Sequence, residues 1–129
     1  MTADEARRLA HAWVEAWNAR DLDRILAHYA EDVEFRSPFV VALTGDPSGC
    51  LRGRARLRDY FARALGRFPL LHFDLHEIYV GVDSLVVRYT SVNGLPAAET
   101  MEIGADGRVC AVRAHYGGAP MAAAAPDRG

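Results

Sequence analysis

The 129-residue sequence is short of most features that assign a protein to a function class at sight. It has no basic excess: the formal charge is −2, so a phosphate backbone is not an expected partner. It has no apolar run near the ~20 residues that a bilayer crossing requires. Asp4 and Glu5 precede an amphipathic segment, which is not the basic-then-apolar layout of a signal peptide, and a cytoplasmic location is expected. Two cysteines, Cys50 and Cys110, are too few and too far apart for a disulfide framework or a zinc site. Cys110 falls in mid-strand and is expected to be inert. The Gly45-Asp46-Pro47-Ser48-Gly49 run lacks the lysine of a phosphate loop and no strand leads straight into it, so nucleotide binding is not expected. His72, Asp74 and His76 share one strand face. The two histidines, about 13 Å apart, cannot bind one ion, and one His with Asp74 supplies only two ligands. No metal and no cofactor are expected.

Half of the residues are hydrophobic and a quarter are charged, the balance of a globular domain with one core. Residues 1–117 read as that domain and 118–129 as a disordered Ala/Pro/Gly tail with nothing to bury. Thr2-Ala3-Asp4-Glu5 is a capping box, and Leu9, Ala12, Trp13, Ala16 and Trp17 recur on one stripe of a helix ending near Asn18. Asp21 caps a short second helix with Leu22, Ile25, Leu26 and Tyr29 apolar. Residues 32–38 alternate, which predicts a first strand stopped by Pro38. A long loop over 40–53 follows, of the kind that often forms a lid or pocket rim. A third helix spans about Arg54 to Leu65, with Leu57, Tyr60, Phe61, Ala64 and Leu65 on its apolar stripe. The arginines at 52, 54, 56, 58, 63 and 67 mostly line a solvated face.

Four strands close the sequence, at 72–80, 85–92, 95–103 and 109–116. Asn93-Gly94 and Asp106-Gly107 are preferred pairs for two-residue hairpins, and turn type fixes register. The first turn then pairs Val92 with Leu95, Arg88 with Glu99 and Val86 with Met101. The second pairs Ile103 with Cys110, Met101 with Val112, Glu99 with Ala114 and Ala97 with Tyr116. One face thereby collects Val86, Arg88, Glu99, Met101, Val112, Ala114 and Tyr116, an ion pair in an apolar concavity. Such a pair is a functional-site candidate, its alternative being a cross-strand salt bridge at a wet rim. The opposite face, with Leu85, Val87, Tyr89, Arg113 and His115, has the composition of a dimer surface. His11 and His28 lie near the apolar helix stripes.

Helix, helix, strand, helix and a four-strand meander resemble the nuclear transport factor 2-like superfamily, in its SnoaL-like branch of polyketide cyclases and relatives. The resemblance covers roughly residues 3–117. It rests on Trp13 with Trp17-Asn18-Ala19-Arg20-Asp21-Leu22-Asp23, on Tyr29-Ala30-Glu31-Asp32-Val33, and on Gly53 ahead of Leu57-Arg58-Asp59-Tyr60-Phe61. It continues through Asp106-Gly107-Arg108-Val109 and Ala114-His115-Tyr116-Gly117. It implies an α+β cone: a barrel-like fold of three N-terminal helices packed on a curved, mainly antiparallel sheet around a pocket. It also implies a homodimer, a small hydrophobic ligand and cofactor-independent chemistry of the isomerase, cyclase or hydratase type. The alternative is a non-catalytic ligand-binding or dimerising module. Set against the ketosteroid isomerases, Ser37 stands where their base would precede Pro38, Trp13 replaces their helix-one tyrosine, and Glu99 matches their second oxyanion donor. Steroid isomerisation of that type is therefore not implied. The expected catalytic pair is Glu99 as acid/base and Arg88 as the group that positions an oxygen. The expected ligand-lining residues are Trp13, Trp17, Tyr29, Ser37, Phe61, Met101, Val112 and Tyr116.

Overall fold

The computed structural model describes residues 1–118; residues 119–129, nearly all of the expected tail, lie outside the described residues. The architecture is α+β, with four α-helices on one six-stranded, mostly antiparallel curved sheet. Helix α1 (Ala3–Asn18) starts at the Thr2 capping box, whose two reciprocal bonds satisfy amides that would otherwise be orphaned. Ala6, Ala10, Trp13, Ala16 and Trp17 form its buried stripe. Helix α2 (Leu22–Leu26) is capped by Asp21 and ends before Tyr29, which belongs to strand β1 (Tyr29–Arg36). Helix α4 (Arg54–Arg67) buries Leu57, Tyr60, Phe61, Ala64 and Leu65, the stripe its spacing predicts.

The structure corrects the 40–53 segment. Instead of a long loop it holds helix α3 (Pro38–Thr44) and strand β2 (Cys50–Arg52), so the α-helices number four among the described residues and no free lid spans the stretch. The cause is local. Pro38 occupies the first turn of α3, where its missing N–H costs nothing, and the Ser37 hydroxyl accepts from the Phe39 amide at 3.1 Å. The proline that stops the strand also opens a helix.

Strands β3 (Asp74–Val80), β4 (Ser84–Thr90), β5 (Pro96–Ile103) and β6 (Val109–Tyr116) form the expected meander. The full order is β2-β1-β6-β5-β4-β3, with β1 and β6 parallel. Between β5 and β6, Ala97 pairs with Tyr116, Glu99 with Ala114 and Met101 with Val112, as the turn residues predict. Ile103 pairs with Val109 rather than Cys110, because a bulge takes up one residue beside the turn.

The β4–β5 register differs by one residue. Asn93 and Gly94 do adopt the positive φ of a type I′ turn, at 57° and 71°. The ladder, however, closes from Ser91 N–H to the Leu95 carbonyl at 2.7 Å, leaving Val92 as an extra residue on the β4 side. Glu99 therefore pairs with Val87, and Arg88 with Ala98. A one-residue slip exchanges the faces of a strand. Leu85, Val87 and Tyr89, expected on an outer dimer face, instead point into the core and are almost fully buried. Val86 and Arg88 face outward with Arg113 and His115.

Two side-chain clamps fix the helices over the sheet. Asn18 both donates to and accepts from the main chain of Phe73, at 3.0 and 2.7 Å, which seats the Phe73 ring between α1 and β4. Arg20, just past the end of α1 with φ 56°, donates to the carbonyls of Leu65 and Phe68 at the end of α4. Cations suit a helix C-terminus, and these bonds offset the left-handed backbone. The other arginines of the 52–67 run are mainly solvated. Arg58 pairs with Asp23 at 2.8 Å and Arg52 with Glu34 at 2.5 Å. Arg54 is the exception, half-buried and donating to the Tyr29 carbonyl.

Candidate functional site

The helices and the concave face of the sheet enclose a cavity of about 50 Å³. At ~10–15 Å³ per water, that is room for a few waters or the polar head of a larger molecule. Aromatic rings form most of its wall: Trp13 and Trp17 from α1, Tyr29 and Phe35 from β1, Phe39 from α3, Tyr60 and Phe61 from α4, then Phe68, Phe73, Tyr89 and Tyr116. Several of them interlock edge to face. Trp13 meets Tyr89 at 5.3 Å between centroids, and Trp17 meets Phe61 at 4.7 Å. Of the lining residues only Leu43 and Tyr116 are partly exposed, so the mouth lies between α3 and the end of β6.

Glu99 is the one carboxylate or cation on this wall, and it is 3% exposed. The Tyr89 hydroxyl donates to its Oε1 at 2.8 Å. Burial penalises the charged form and pushes the carboxyl up to about 7, and the bond from Tyr89 offsets only part of that. The same burial, with Glu99 nearby, raises the hydroxyls of Tyr29, Tyr89 and Tyr116, which stay protonated as donors. Tyr116 also sits close to the hydroxyls of Tyr89 and Ser91 on the wall and of Ser37 behind it. On the α1 side, Trp13 Nε1 donates to the Tyr29 hydroxyl at 2.9 Å.

Of the residues singled out in the sequence, Trp13, Trp17, Tyr29, Phe61, Glu99 and Tyr116 line this cavity. Ser37, Met101 and Val112 are buried but stand behind its wall: Ser37 caps α3, and the other two fill the core. Arg88 is not brought to Glu99. Its guanidinium lies 2.6 Å from Glu77 on the outer face, both side chains about half exposed. That is the wet cross-strand bridge, with β3 rather than β5 supplying the acid. Arg88→Ala is expected to lower stability by less than about 1 kcal/mol in urea denaturation, as exposed pairs do. A larger loss would mean that the guanidinium also supports the cavity.

Sequence reasoning missed Tyr89, the partner of Glu99, because of the slipped register. It also missed Phe39, which falls between the expected strand end at Pro38 and the expected 40–53 loop, although Ser37-Pro38 is a readable helix start. Among the described residues, no group of three or more His, Cys, Asp or Glu is placed to hold a metal ion. No helix there is long and apolar enough to cross a membrane. His72 lies 3.5 Å from Asp74 on an exposed edge.

Residues 10–122 match the profile of the SnoaL-like domain, close to the full length of the chain. The chain belongs to the SnoaL-like family. A SnoaL-like protein of unknown function from Burkholderia thailandensis is 42% identical, with a TM-score of 0.88 over 91% of this chain and 98% of that one. An NTF2-like protein of unknown function from Burkholderia pseudomallei is 22% identical, with a TM-score of 0.73 over 96% and 95%. A protein with a ketosteroid isomerase-like fold from Catenulispora acidiphila, in complex with trimethylamine, is 15% identical, with a TM-score of 0.68 over 84% of each chain. No curated protein sequence matches. A protein described as a candidate isomerase of the SnoaL-like family, from Agrobacterium tumefaciens, is 16% identical, with a TM-score of 0.70 over 89% of this chain and 99% of that one. Folds of this kind host unrelated chemistries, so function rests on the cavity itself.

Proposed function

We propose that this SnoaL-like protein binds a small, mostly apolar carbonyl compound in the aromatic cavity and moves a proton on it with Glu99. The observation that carries this reading is a buried carboxyl in an aromatic wall with no cation beside it. A carboxyl that titrates near 7 is suited both to take and to return a proton at neutral pH. In an isomerisation, Glu99 takes the proton from the carbon next to the carbonyl, and the electron pair moves onto the carbonyl oxygen. The same proton then returns to a different carbon, so no cofactor and no redox partner enter the balance. A cyclisation through the same enolate is also proton-neutral. Ser37 and Trp13 take no part as base or hydroxyl donor, which keeps the reading apart from steroid isomerisation of the familiar type.

The test follows deuterium incorporation next to the carbonyl of small cyclic ketones in D2O by NMR. General-base catalysis contributes on the order of 10²–10⁴-fold. An acceleration of that order is expected, lost in Glu99→Gln and rising with pH through about 7. Exchange equal in the wild type and Glu99→Gln across the ketones would leave a binding protein without catalysis. A second reading, a small organic ammonium held by the rings and the Glu99 carboxylate, draws on cation–π attraction and on the trimethylamine complex of the Catenulispora protein. It is weaker because such a cation offers no acceptor to the hydrogen-bond donors at the α1 end of the cavity. Pairing into a homodimer remains a proposal of the resemblance alone, to be checked by analytical ultracentrifugation.

A further inference from the structure

Trp17 Nε1–H is buried and, alone among the buried side-chain polar atoms of the described residues, has no hydrogen-bond partner. Trp17 is 5% exposed and its ring lines the cavity. An unpaired buried donor costs about 1–3 kcal/mol, which a well-packed core rarely tolerates without a use for it. Tyr29 lies beside it: both rings pack on Phe61, at centroid distances of 4.7 and 5.5 Å. The Tyr29 oxygen accepts from Trp13, yet its own proton has no acceptor among the described residues. Trp17 is close enough to influence that oxygen but is not in bonding geometry with it. Trp17 Nε1–H and the Tyr29 hydroxyl thus lie side by side in the cavity wall, and neither proton has a bonded acceptor among the described residues.

We propose that Trp17 Nε1–H and the Tyr29 hydroxyl proton together hold the carbonyl oxygen of the ligand, with Trp13 behind Tyr29 as a positioning residue. This deepens the reading above by assigning the oxygen-binding end of the same cavity. A hydroxyl that accepts a bond becomes a stronger donor, so the Trp13 to Tyr29 contact polarises the proton offered to the ligand. The donors also suit charge that develops on the oxygen as Glu99 withdraws a proton. Arg88 is not needed for that task, and the ligand class narrows to molecules with an exposed acceptor oxygen.

The chain has two tryptophans, so a nitrogen-15 spectrum carries two indole cross-peaks, and Trp17→Phe assigns them. The wild-type protein is titrated with 2-cyclohexen-1-one and with methylenecyclohexane, which has nearly the same shape and no oxygen. The ketone is expected to move the Trp17 indole proton downfield, whereas the hydrocarbon leaves it in place. Trp17→Phe and Tyr29→Phe are each expected to weaken the ketone about threefold to tenfold while sparing the hydrocarbon. Equal responses to the two probes, or a response at Trp13 instead, overturn the donor pair and leave proton transfer by Glu99 standing. Failure of both probes to bind overturns both readings. A Trp17 shift with the ketone but no Glu99-dependent exchange keeps the donor pair and removes the catalysis.

Discussion

Glu99→Gln is expected to flatten the stability of this protein between pH 5 and pH 8, gaining roughly 2–3 kcal/mol on the wild type across that interval. The sign follows from the direction of the perturbation. The folded-state carboxyl titrates at about 7, above its ordinary 4.5, so the folded protein binds this proton more tightly than the unfolded chain does. The contribution of Glu99 is therefore fully present below about pH 4.5. It is lost as the pH rises through 7 and is level above it. Half-buried His28 works the other way, since burial holds its imidazole below the usual value and favours the folded state as pH rises. For that reason the quantity to measure is the difference between wild type and Glu99→Gln in urea denaturation at each pH. Glutamine keeps an oxygen for the Tyr89 hydroxyl, so the hydrogen bond at 2.8 Å has a counterpart in the variant. A difference that does not change with pH would show that Glu99 is more solvated than its 3% exposure indicates.

The second large effect concerns β4. Val87→Asp is expected to cost more than about 4 kcal/mol or to prevent folding, while Val86→Asp costs less than about 1 kcal/mol. Val87 is fully buried opposite Glu99, so the variant places two carboxyl groups side by side in the core, where like charges cannot both ionise. Val86 faces outward beside Arg88 and is only partly buried, so its carboxylate would be hydrated. Urea denaturation of both variants, with circular dichroism to confirm folding, distinguishes the two faces. The reverse order of cost would restore the register that a two-residue Asn93-Gly94 turn predicts, and with it an Arg88–Glu99 pair inside the cone.

Much of the architecture is legible because its signals are local. The Thr2 capping box, the Trp13 and Trp17 stripe, the Leu57 to Leu65 stripe and the Asp106-Gly107 turn each act within a few residues, where propensity and periodicity are decisive. The pairing of Glu99 with Ala114 follows from such a turn and places the carboxyl on the concave face. Helix α3 was equally local but less visible, since Pro38 reads as a strand stop and as a helix first turn alike.

The sequence by itself determined the family, the order of the main elements and the pairing of Glu99 with Ala114. Only the tertiary structure decided what stands next to that carboxyl. The Asn93-Gly94 conformation is a property of two residues, but whether the ladder closes at Ser91 or Val92 depends on how all of β4 packs against β3, β5 and α1. Burying Leu85, Val87 and Tyr89 removes far more apolar surface from water than burying Val86 and Arg88, and it avoids desolvating a guanidinium. That balance, summed over a whole strand, outweighs the preference of one turn. It places Tyr89 on Glu99, pairs Arg88 with Glu77 at the surface, and leaves the buried carboxyl without a counter-ion.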